Sequence, residues 1–198
     1  MAAFMIGMVN VTNPDAYGEY TKAAPGVFKQ FGAKIRIRGG DVTVLEGPEP
    51  PGRIVMIEFD DTDTIRKWYA SPEYTEIKKL REGAADVFIY FLEGEPLGDV
   101  PDSPKPGYVM AKFTVTDQER WDIYAPRGME FVASAGGVIV ARGPINTIEG
   151  PETYQQSVVF KFPTVEDGVG FYHAQAYQDI IPLRAGAAEF QLFVLQGA

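Results

Sequence analysis

The chain carries nearly the same message twice. Tyr69, Tyr74, Leu80, Arg81, Gly83, Ala84 and Ala85 recur 103 positions later as Tyr172, Tyr177, Leu183, Arg184, Gly186, Ala187 and Ala188. Nearer the N-terminus the offset is 104, taking Val11, Thr12, Tyr20, Gly32, Arg38 and Gly39 to Val115, Thr116, Tyr124, Gly136, Arg142 and Gly143. One residue has been lost between the two blocks, before Gly150. So constant an offset marks two copies of one folding unit, and the chain can be read as its own two-sequence alignment.

A length of 198 residues allows one or two domains. The repeat decides for two, at 1–94 and 107–198, with a connector over 95–106. That connector holds Pro96, Pro101 and Pro104 and reads as an extended, semi-rigid spacer. There is no cysteine, which excludes disulfides and thiolate chemistry. A net charge of -9 argues against nucleic acid, because phosphate contacts need clustered Lys and Arg. No apolar run reaches the length of a membrane span, and no basic segment leads into a long apolar one at the N-terminus. A cytoplasmic protein is therefore expected. The second copy is the less charged: residues 107–197 hold 6 Lys+Arg and 10 Asp+Glu, against 11 and 14 in residues 1–94. Charge depletion of this kind accompanies either drift or an oligomer interface, and a homodimer is expected.

Within one copy the order of elements is legible. Phe4–Val11 is a β-prone apolar run. Asn13-Pro14 supplies a cap and a first-turn proline for a helix to about Phe31, disturbed at Pro25 and closed by Gly32. Lys34–Arg38 alternates strictly and resumes after Gly39-Gly40 toward Leu45. Arg53–Phe59 is a third strand, and Asp61 or Thr62 caps a second helix. Ser71-Pro72 breaks that helix and starts another. Ala85–Leu92 is the fourth strand. The second copy repeats the series, with strands near Val109–Val115, Gly137–Ile148, Ser157–Phe162 and Glu189–Leu195. Its helices fall near Asp117–Ala135 and Thr164–Arg184. The order βαββαβ predicts an α+β fold of two ferredoxin-like units.

Arg38-Gly39-Gly40, Ile57-Glu58-Phe59, Trp68-Tyr69-Ala70-Ser71-Pro72-Glu73-Tyr74 and Leu80-Arg81 resemble the domain of unknown function 1330 family. Arg142-Gly143-Pro144, Phe162, Phe171–Tyr177 and Leu183-Arg184 carry the likeness into the second copy. The resemblance implies a dimeric α+β barrel, here a pseudo-dimer within one chain. The family has no established general activity. The wider superfamily holds monooxygenases, lyases, isomerases and haem enzymes, and fold alone does not choose among them.

Strand alternation divides the side chains between two faces. Val9/Phe113, Ile37/Ala141, Ile57/Phe160 and Ile89/Leu192 make a face that is apolar in both copies. Met8/Lys112, Arg36/Val140, Arg38/Arg142, Glu58/Lys161, Phe88/Gln191 and Tyr90/Phe193 make a mixed face, which is expected to border a cavity or a wet interface. Three residues special to the second copy are candidate proton-transfer groups. They are His173, the only histidine, and Lys161 and Lys112, whose mutual repulsion would favour a neutral amine. Arg142, Arg184 and Arg38 are candidates to hold an anion, or structural forks that satisfy carbonyls or carboxylates. Tyr172, Tyr177, Gln191, Glu58, Trp68 and Tyr69 are candidate substrate contacts, or core and ion-pair residues.

Two functions remain open. One is a cofactor-independent enzyme of the lyase, isomerase or monooxygenase type on a small, apolar, aromatic molecule. The other is a non-enzymatic binding or stress-related protein. Haem-binding relatives in the superfamily use a helix histidine, so His173 keeps a haem enzyme as a lesser alternative. An open cavity distinguishes the first reading from the second.

Overall fold

A computed structural model describes residues 1–95, 103–151 and 153–198. Most of the proline-rich connector lies outside the described residues. The first repeat forms β1 (Ala3–Val11), α1 (Pro14–Gln30), β2 (Lys34–Arg38), β3 (Val42–Glu46), β4 (Arg53–Phe59), α2 (Thr62–Ala70), α3 (Pro72–Lys78) and β5 (Ala85–Glu93). The second forms β6 (Gly107–Val115), α4 (Gln118–Ser134), β7 (Val138–Pro144), β8 (Asn146–Glu149), β9 (Gln156–Phe162), α5 (Val165–His173), α6 (Gln175–Gln178), α7 (Ile181–Arg184) and β10 (Ala188–Gln196). The caps explain the helix starts. Asn13 accepts from the Ala16 amide at 3.2 Å, Asp61 from Thr64 at 2.7 Å and Ser71 from Tyr74 at 3.1 Å.

The chain divides into two compact α+β units, and neither is continuous in sequence. The first sheet runs β2-β4-β1-β5-β8 and the second β3-β10-β6-β9-β7. Each therefore takes its fifth strand from the other repeat. This corrects two expectations: β3 does not prolong β2, and Gly137–Ile148 is not one strand. The break falls where the chain changes sheet. The exchanged strands end at Gly47 and Gly150, both at φ 78, where a Cβ would collide with the carbonyl oxygens of Phe190 and Val87. Only glycine allows that turn and that approach. Thr164–Arg184 is likewise three short helices, interrupted at Ala174 and before Pro182.

In the first unit α1, α2 and α3 cover one sheet face and bury Phe28, Phe59, Trp68 and Tyr74. In the second, α4 to α7 bury Val132, Phe160, Phe162, Phe171 and Tyr177. The sheet face away from the helices is also buried in each unit, through Phe4, Ile6 and Tyr90 in one and Met110, Val159 and Phe193 in the other. Strands apolar on both faces read as continuous hydrophobic runs, as β1 does.

A bulge changes the expected faces. Pairing slips between Ile35 and Ile37 against β4, and between Ile139 and Ala141 against β9. The extra residue, Arg36 or Val140, moves every later side chain to the opposite face. Ile37 and Ala141 thus leave the helix-covered face, and Arg38 and Arg142 turn toward it. On the mixed face Lys112 is 5% exposed and Gln191 4%, whereas Arg36, Glu58 and Lys161 stay partly exposed. Among the described residues no helix is long and apolar enough to cross a membrane.

Candidate functional site

The cavities of the two units lie between helices and sheet, against the apolar sheet face, and they differ in size. The first unit encloses about 70 Å³ beside Tyr17, Tyr20, Phe28, Arg38 and Arg81, room for only a water or two at about 30 Å³ each. The second encloses about 380 Å³, within the ~300–1,000 Å³ of small-molecule sites. Equivalent residues show how it opens. Phe28 becomes Val132, Trp68 becomes Phe171, and Ala24 becomes Gly128. In the first unit the Phe28 and Trp68 rings pack at 5.1 Å and fill this end. The other end is more aromatic in the second copy, where Val9, Tyr17 and Val87 become Phe113, Trp121 and Phe190. Phe113 stacks on Trp121 at 4.6 Å and on Phe190 at 5.8 Å.

Few polar groups reach this apolar space. Tyr124 and Tyr177 line it, with their buried hydroxyls 2.6 Å apart. Burial pushes the Tyr177 phenol far above the ordinary tyrosine range, and Tyr124 beside it adds to the rise; the Arg184 cation opposes it. The Tyr177 phenol is thereby held in its protonated form, able to donate or share a hydrogen bond. Arg142 and Glu95 line the rim, with Arg142 Nε donating to Glu95 at 2.7 Å. A more open cavity of about 300 Å³ shares Glu95, Met129 and Val132 with the larger one. Those three residues form its threshold.

Of the sequence candidates, Arg142 and Tyr177 line the large cavity, and Arg38 lines the small one. Arg184 lies behind the wall, 4.1 Å from the Phe190 ring centre and 5.2 Å from that of Tyr124. Its two terminal nitrogens are taken by Glu46, which also accepts from Tyr172 at 3.0 Å. Tyr69 and Arg81 hold Glu149 in the same way. Trp68 is a core residue, 1% exposed.

The remaining candidates stand elsewhere. His173 is exposed at the end of α5 and meets Tyr172 edge-on. Lys112 is buried on the opposite sheet face, 5.0 Å from the Tyr154 ring centre. Lys161 is partly buried on that same face, opposite Tyr108, whereas Lys112 pairs with Ser157. Four residues along β9 separate the two positions by ~13 Å at 3.3 Å per residue, so they are not the neighbouring pair expected. Gln191 donates to the Pro48 carbonyl at 2.9 Å. Glu58 is ion-paired with Arg36 at 2.6 Å.

The cavity does not offer haem a histidine ligand, because the single histidine is exposed and is not among the residues lining it. Sequence reasoning missed Glu95, Tyr124, Val132 and the carboxylates Glu46 and Glu149. The signal for the last two was present, as Leu45-Glu46-Gly47-Pro48 answers to Ile148-Glu149-Gly150-Pro151.

The family model for a domain of unknown function, DUF1330, matches residues 2–95 and again 106–198. No curated protein matches the chain. Among solved structures, an anthrone oxidase-like protein shares 15% identity at a TM-score of 0.57, covering 100% of this chain and 91% of its own. A Lactobacillus acidophilus protein provisionally named a monooxygenase shares 12% at 0.55, covering 98% and 93%. A chlorite dismutase from Candidatus Nitrospira defluvii shares 7% at 0.52, covering 97% and 90%. At these identities the likeness is one of fold.

Proposed function

The chain belongs in both of its halves to the DUF1330 family, and on that premise we propose that it is an enzyme acting on a small, fused-ring aromatic molecule. The reaction is cofactor-independent proton transfer in the cavity of the second unit. One observation carries the reading: the same fold encloses about 380 Å³ in one copy and about 70 Å³ in the other. A void in a core costs stability, so a cavity kept open in one copy alone is explained by a ligand that fills it.

The walls suit flat aromatic rings, with Phe113, Trp121 and Phe190 to stack on. The name of the anthrone oxidase-like neighbour concerns a fused-ring aromatic ketone, a class that enolises readily. Tyr124 and Tyr177 would donate to the oxygen of such a substrate as its enolate or phenolate forms, the proton it loses passing to water at the rim. Arg184 behind them adds positive potential. Donors fixed in a dry site gain most where charge develops.

A second reading, binding without catalysis, is favoured by the Tyr20–Tyr74 pair, whose hydroxyls lie 3.4 Å apart beside the closed cavity. There the pair serves the fold. Titrating anthrone or 2-naphthol against Trp121 fluorescence tests both readings. The enzyme reading expects saturable binding at one site, lost in V132F, and a slow spectral conversion of the ketone lost in Y177F. Binding without any conversion would leave the second reading. No binding at all would sink both.

A further inference from the structure

We propose that the ligand of this cavity carries a carboxylate, which takes the place of Glu95 on Arg142. The inference rests on the reading of the cavity as the ligand site and names the charge of what enters it. Arg142 is the one cation and Glu95 the one anion among the described residues lining that cavity. Each is the other's partner, so the rim is neutral when empty and lacks a cation for a neutral ligand to exploit.

The geometry makes the pair exchangeable. Arg142 is 55% exposed and Glu95 33%, and one contact joins them, from Nε at 2.7 Å. Among the described residues the other guanidinium N–H groups have no acceptor, which leaves most of its five donors for an incoming carboxylate. A half-exposed pair of this kind is held by only ~0–1 kcal/mol. Arg184 is the contrast: 4% exposed and gripped through two nitrogens by Glu46, it does not line the cavity.

The β7 bulge places both members. It turns Arg142 to the cavity side, and its extra residue, Val140, gives its carbonyl to the Glu95 amide at 2.9 Å instead of to β9. Glu95 is thus pinned by its backbone beside the arginine and on the threshold shared by the two cavities. It acts as an internal competitor for anions, and it screens Arg142 until a ligand brings a carboxylate together with enough apolar surface to fill the space. The equivalent Arg38 has no acidic partner among the described residues, and its cavity is too small for such a ligand.

Calorimetric titration of the full chain with 2-naphthoate, 2-naphthalenemethanol and 2-naphthylmethylamine tests this. The expected order is naphthoate tightest, with E95Q tightening naphthoate by up to about fivefold and leaving the alcohol within about twofold. R142Q should bring naphthoate down to the alcohol and leave the alcohol unchanged; unchanged melting temperatures would show that both variants fold. Equal binding of acid and alcohol, or no response of naphthoate to E95Q, would overturn the proposal. Preference for the amine would overturn it in favour of a cation seated on Glu95. Binding of none of the three would instead count against the cavity as a ligand site.

Discussion

Arg184 grips Glu46 through both terminal guanidinium nitrogens, at 2.6 and 2.5 Å, across 138 residues of sequence. Arg81 does the same to Glu149 at 2.8 and 2.7 Å. In each case the carboxylate rides on the exchanged strand and the arginine belongs to the repeat that receives it. The two arginines kept in both copies are fasteners of the fold. Removing one partner of such a buried pair strands the other charge. R184M should therefore cost about 3 kcal/mol in urea denaturation, and E46Q somewhat less, because an amide keeps part of the hydrogen bonding. In the double variant the two losses should fall well short of adding.

Acid should release the other clamp. Burial alone would raise the Glu149 carboxyl, but hydrogen bonds from Arg81 and Tyr69 and the nearby Lys78 charge outweigh it and hold the carboxyl down at about 2. A depressed carboxylate contributes stability above its unfolded value of 4.5, and that contribution fades as pH falls toward 2. The contribution is on the order of 2 kcal/mol after allowance for partial exposure. Stability curves measured between those limits should slope steeply in the wild type and less in E149Q; parallel curves would refute the assignment.

Alkali should act through the tyrosines. Burial first, and then the Glu46 carboxylate, push the Tyr172 phenol up to about 12, and Tyr177 lies higher still. A raised group stabilises below its unfolded value of 10.0 and loses that contribution as pH rises toward the folded value. Stability should fall above pH 10, and by less in Y172F and Y177F. Absorbance at the phenolate band, followed through the same range, should show neither residue ionising before the chain unfolds.

Exchanging the residues that set cavity size should exchange the cavities. V132F places a ring where the first unit has one, and should abolish aromatic-ligand binding while holding or raising the melting temperature. F28V empties the closed unit and should cost about 2–4 kcal/mol. If V132F destabilised the chain as much as F28V does, the space beside Val132 would not be the void described.

The elements were legible because their signals are local: Asn13-Pro14, Asp61 and Ser71-Pro72 each bond within three residues. The bulge was hidden, since Lys34–Arg38 alternates as a regular strand and only pairing with β4 reveals the extra residue. That one slip put Arg38 and Arg142 on the wrong face. Strand exchange was hidden too, because Glu46 means nothing until Arg184 is beside it. The differences between copies were readable, but charge drew attention to Lys112, Lys161 and His173. The change that mattered was of size, at Phe28/Val132 and Trp68/Phe171, and size becomes a cavity only once helix and sheet have packed.

The exchanged strands bear on how such a protein can change. Two identical chains trading strands would carry every substitution in both of their cavities, so enlarging one would hollow the other. Written into a single chain, the two copies can be edited apart. One unit can stay filled while the other opens a cavity, and the Phe28/Val132 pair marks that difference.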